Sequence, residues 1–190
     1  MVKNTIRNGS IDLIRTIGII AIVATHAFSS YPITRTLLYP WQVPIFFVLS
    51  GWFWKSKKSP SSEIKSRCTA LLIPYCSWLI LLLTLETILY IHSNNINGIL
   101  RVAWNALRGG QYATTPFTVF WFITALLFAR IYLVLIERIA GTIGIVVVSL
   151  AGIVSAWLIP YYLKIMWLSL GLALPCTVFI VAGIIGGRFS

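Results

Sequence analysis

Residues 11–30 read IDLIRTIGIIAIVATHAFSS, an apolar run from Ile17 to Ala24 with Asp12, Arg15 and His26 set around it. A helix of about 20 mostly apolar residues is long enough to cross the hydrocarbon core of a bilayer. Ionisable groups in such a helix cost free energy unless they are paired or solvated, so each is a functional candidate. The segment therefore states both the solvent, which is lipid, and the place to look for chemistry.

The rest of the chain agrees with lipid as solvent. Of its 190 residues 58% are hydrophobic and 10% charged, with a mean hydropathy of +0.90, against about 25% charged in soluble domains. Five more apolar stretches follow the first, at about Leu37–Trp54, Thr69–Ile91, Phe117–Glu137, Thr142–Ile159 and Ile165–Gly187. The fold class expected is all-α, a polytopic transmembrane helix bundle of about six spans. The second stretch is the weakest, being short and holding Pro40 and Pro44. Lys3 and Arg7 ahead of the first apolar run imitate a signal peptide with a marginal cleavage site at Thr25–Ala27, but the later spans favour a retained helix.

The net charge of +11 does not point to nucleic acid, because the cations lie between apolar stretches and form no groove-binding face. Cytoplasmic loops are enriched in Lys and Arg. With the N-terminus inside, Lys3, Arg7, Lys55, Lys57, Lys58, Lys65, Arg67, Arg138 and Arg188 fall on the cytoplasmic side, against Arg35, Arg101, Arg108 and Lys164 outside. Both termini are thus expected in the cytoplasm, with Lys55–Arg67 as a basic, Ser- and Pro-diluted loop that sets orientation. The polar stretch His92–Pro116 would face the exterior, with Ile99–Leu107 lying flat as an amphipathic helix. Cys68, Cys76 and Cys176 form no C-x-x-C pair and behave as small hydrophobes, so neither a disulfide framework nor a metal site is expected.

At 100° per residue Arg15 and His26 fall within about 20° of one helical face, with Asp12 close by, yet about 16 Å of rise separates the two. A long substrate can touch both. Arg15 suits an anionic portion near the headgroups, because a guanidinium forks onto phosphate. His26 suits the reacting atom, because imidazole takes and returns protons near neutrality. The alternative is that Asp12 and Arg15 form an i,i+3 pair at the membrane boundary while His26 bonds a neighbouring helix. Among the other polar residues, Glu86 is read as solvated at the outer end of the third span, Arg130 as snorkelling to headgroups, Ser50 as a packing residue and His92 as a loop histidine.

Several further pieces stand in order: Phe46-Phe47-Val48-Leu49-Ser50-Gly51, then Arg67, Pro74-Tyr75 and Trp121-Phe122. With Asp12, Arg15 and His26 they resemble the acyltransferase 3 family of multi-spanning membrane acyltransferases, which includes enzymes that O-acetylate bacterial surface sugars. The likeness covers roughly the first 125 residues. It implies transfer of an acyl group, usually acetyl, from acyl-CoA (acetyl-CoA) as donor substrate to a hydroxyl of a cell-envelope carbohydrate or glycolipid, by an inner-membrane protein with no bound cofactor. By that resemblance His26 would be the catalytic base or acyl-handling group, Arg15 would position the donor or stabilise charge, and Asp12, Phe46, Ser50, Gly51, Arg67, Tyr75 and Trp121 would shape the substrate site. Members of the family continue with further spans, so residues 1–190 read as one domain incomplete at its C-terminus, explained either by a frameshifted or fragmentary reading frame or by a partner chain that supplies the missing helices. An inactive fragment and a multi-span transporter component, with Arg15 and His26 along a polar path, stand as alternatives.

Overall fold

The computed structural model describes residues 9–54, 59–92 and 96–189. Lys3, Arg7, Lys55, Lys57 and Lys58 and the polar residues 93–95 lie outside them. No β-strand occurs among the described residues; the chain runs through α1 (Gly9–Ala27), α2 (Pro32–Gln42), α3 (Pro44–Trp52), α4 (Pro60–His92), α5 (Ile96–Arg108), α6 (Trp121–Leu158), α7 (Pro160–Ile165) and α8 (Leu170–Gly186). Short 3₁₀ turns sit at Gly110–Tyr112, Phe117–Phe120 and Trp167–Ser169. Among the described residues, four helical stretches are long and apolar enough to cross a membrane: Gly9–Ala27, Pro60–His92, Phe117–Leu158 and Trp167–Gly186.

The stretch 37–54 is not one span. It divides at Val43 into α2 and α3, neither long enough to cross a bilayer alone. Proline is the cause: Pro44 has no amide hydrogen to continue α2, yet its fixed φ suits the first position of α3, which it occupies. The fourth and fifth stretches, conversely, form one element, α6. At about 1.5 Å per residue, its 38 residues would reach about 57 Å, nearly twice the hydrocarbon thickness. The element instead doubles back at Gly141, whose φ of 61° and ψ of −155° suit glycine alone. A Cβ on Gly144 would lie 3.5 Å from the Ile136 carbonyl oxygen, whereas residues eight apart in a straight helix are about 12 Å apart. Residues 121–140 and 142–158 are therefore two helical halves folded back on each other.

Two boundaries also move. Helix α4 begins at Pro60 and runs unbroken through Pro74, so Lys65 and Arg67 ride on a helix rather than in a loop, and His92 ends that helix instead of starting a loop. Helix α5 forms close to the amphipathic segment read from the sequence, with Val102 and Ala106 turned inward towards Tyr75 and Leu79 of α4, and Leu100, Trp104 and Leu107 exposed.

The centre of the bundle is α3, α6 and α8. A Cβ on Gly51 would overlap the Ile180 carbonyl, and one on Gly183 the Val48 carbonyl, so α3 and α8 touch backbone to backbone. Close approach through small residues is how helices associate in lipid, where no hydrophobic drive separates one apolar surface from another. Phe47, Ala125, Ala129, Leu133, Ile180 and Ile184 fill this core. By contrast α1 leans on the centre through Gly18, which faces the Phe46 ring, and through the buried Thr25 hydroxyl donating to Gln42 Oε1 at 2.9 Å. Much of its remaining surface, Leu13, Ile17, Ile20 and Val23 included, is exposed, as lipid solvation allows.

Candidate active site

Where α1, the start of α3, the start of α6 and the middle of α8 meet, the bundle opens into a cleft of about 790 Å³. Its walls are mainly apolar and aromatic, with Phe47, Trp121, Phe122 and Phe179 among them, and His26, Tyr39 and Gln42 supply polar groups. A largely apolar cleft with a few convergent polar groups is the usual form of a small-molecule site. His26 is exposed and makes no hydrogen bond to any described residue. It reaches the cleft because it lies in the last turn of α1, next to the Thr25–Gln42 tie.

A second polar centre lies at the other end of the bundle. Arg130 is nine residues beyond Trp121 on α6, which places it about 13 Å further along. It is 2% exposed. Its Nη2 donates to Glu63 Oε1 at 2.6 Å, and its Nη1 donates to the Ser50 carbonyl and, at 2.9 Å, to Ser50 Oγ. The guanidinium also stacks 4.6 Å from the Trp54 ring, whose indole donates to Glu137 Oε2 at 3.1 Å. Arg67 Nε donates to the same Glu63 oxygen at 2.8 Å. Arginine stays charged in protein interiors, so a buried one needs this company. Of the three guanidinium nitrogens of Arg130, Nε is the one buried without a hydrogen-bond partner.

The residues singled out from sequence thus separate into groups. His26 and Trp121 line the cleft. Phe46 sits behind its wall, 5.7 Å edge-on from Phe122 and against Gly18. Ser50 and Arg67 belong to the second centre. Arg15 is also at that end, 5.6 Å from the Phe53 ring and 3.6 Å from Asp12, half-exposed. The i,i+3 pair of Asp12 and Arg15 therefore forms, while His26 bonds no neighbouring helix. Gly51 is spent on the α3–α8 contact, and Tyr75 is buried 5.2 Å edge-on from Phe120, one layer behind the cleft.

One reading changes, and one residue is added. Arg130 does not snorkel to headgroups; Glu63, Ser50 and Trp54 hold it inside, because the inner faces of α3, α4 and α6 converge there. Glu63 was passed over among the basic residues around it. The signal was present, since Glu63 and Arg67 stand at i,i+4 on what becomes one helix. Glu86 is half-buried near the far end of α4.

The class the fold defines is a helical membrane bundle, with a histidine on an open aromatic cleft and a buried arginine cluster at the opposite end. The model of the acyltransferase 3 family, described as an acyltransferase domain, matches residues 8–190, and the chain belongs to that family. No curated protein and no solved structure matches the chain.

Proposed function

We propose that the protein moves an acyl group, acetyl by preference, from acyl-CoA to a hydroxyl of a cell-envelope carbohydrate or lipid-linked acceptor, working from the inner membrane with its N-terminus in the cytoplasm. The observation that carries this reading is the place of His26: unbonded, at a helix end, on the wall of a cleft large enough for an acceptor. As general base it takes the proton of the acceptor hydroxyl while that oxygen attacks the thioester carbonyl. The C–S bond breaks, and the imidazolium returns its proton to the departing CoA sulfur. The about 16 Å between His26 and Arg15 matches a donor whose thioester and phosphates are far apart, with the phosphates at the arginine end. The Lys and Arg distribution supports a cytoplasmic arginine end.

The test is transfer of label from acetyl-CoA to extracted envelope glycans by the protein in lipid, alongside His26→Ala and Arg15→Ala. Loss of transfer in His26→Ala and a raised donor KM in Arg15→Ala are the results expected. Equal labelling by all three overturns the assignment, and proton or solute flux without acyl transfer favours a transporter.

A further inference from the structure

Glu63 is the one acidic residue in a run of cations, yet it sits at the junction of three helices. Its Oε1 accepts from Arg67 on its own helix at 2.8 Å and from Arg130 of α6 at 2.6 Å, and Arg130 in turn grips Ser50 of α3 by carbonyl and hydroxyl. The two arginines are held differently. Arg130 spends both terminal nitrogens inside the protein. Arg67 is held by Nε only, its side chain is one-third exposed, and neither of its terminal nitrogens meets a partner among the described residues. A guanidinium tethered by Nε keeps the fork that recognises phosphate oxygens, and tethering lowers the entropy lost when it binds. Arg15, on Phe53, lies at the same end of α3 as Trp54, which stacks on Arg130.

We propose that Glu63, anchored by Arg130, is a positioning residue that presents Arg67 to a pyrophosphate-bearing ligand, which on the reading above is the CoA moiety of the donor. The inference rests on that reading for the identity of the ligand but not for the anion site itself. Glu63 touches no substrate in this scheme; it acts through Arg67.

The experiment compares the full chain in lipid nanodiscs with Glu63→Asp, Glu63→Gln, Arg67→Lys and the double variant Glu63→Asp/Arg67→Lys. Binding of labelled CoA and of inorganic pyrophosphate is measured with the unfolding midpoint. Glu63→Asp keeps the charge that Arg130 needs but is one methylene too short to hold both guanidiniums, so it tests position where Glu63→Gln can fail by unfolding. The expected result is a roughly tenfold loss of affinity for both ligands in Glu63→Asp and in Arg67→Lys. The double variant should be no weaker than the weaker single one, because both changes remove one device. Glu63→Asp with full affinity, or losses that multiply in the double variant, overturns the proposal, as does a wild type that binds neither ligand. Pyrophosphate binding with the expected pattern but without CoA binding or acetyl transfer keeps the inference and removes the donor reading.

Discussion

Helices α1 and α6 each carry an arginine in an apolar setting, and the protein treats the two in opposite ways. Arg15 on α1 has a side chain 49% exposed, with Asp12 at 3.6 Å as an ion-pair partner. Arg130 on α6 is 2% exposed and has a carboxylate, a hydroxyl, a carbonyl and an indole around it. The difference follows from the helices themselves. In the stretch Phe117–Leu158, which contains α6, 50% of the apolar span is buried in the bundle, against 17% for α1, so a cation on α6 must be neutralised by protein, whereas one on α1 can be solvated. The central helices bury their cation among protein partners, and the peripheral helix leaves its cation half-exposed beside Asp12 and Phe53.

That contrast can be broken most decisively at His26. His26→Ala is expected to lower acetyl transfer by about 10²–10⁴-fold, the usual worth of a general base, with the unfolding midpoint unchanged because the imidazole bonds nothing in the described chain. A midpoint that falls as transfer falls would make α1 structural after all. Next in size, Arg130→Met removes the closer of the two guanidiniums on buried Glu63 while Arg67 stays, and should cost about 1.5–3 kcal/mol of stability by thermal unfolding in detergent, while Arg15→Met costs under about 1 kcal/mol. Equal losses would erase the distinction between the two arginines.

Smaller effects sharpen it. Gly183→Ala forces a methyl into the Val48 carbonyl and is expected to cost about 1–3 kcal/mol, whereas Gly18→Ala meets the edge of the Phe46 ring at 3.0 Å, a side chain that can shift, and costs less in the same assay. Smallest, Thr25→Val removes the buried tie from α1 to Gln42 and should cost about 1 kcal/mol. It should also raise the acceptor KM, since Gln42 lines the cleft beside His26. A stability loss with no change in KM would separate that tie from the site.

Much of this could be read from residues in a row. The apolar stretches, their interruption by Pro40 and Pro44, the amphipathic character around Ile99–Leu107, and the shared face of Arg15 and His26 are local properties of a helix. Arg130 and Glu63 illustrate the limit. Each looks ordinary in its own neighbourhood, one near the end of an apolar span and the other in a basic segment, and only the meeting of α3, α4 and α6 puts them 2.6 Å apart. Gly51 shows the same limit from the other side. Its small size invites a ligand, but α8 arrives first and takes the space.

The sequence by itself determined that this chain lives in lipid, that it is helical and that its leading helix carries a guanidinium and an imidazole along one side, because composition and the helical repeat act within a single segment. The tertiary structure decided which cations are buried, which glycines are packed and where the cleft opens. Those outcomes depend on helices distant in sequence sharing one small volume, where a polar group must find its partner or be left facing the opening.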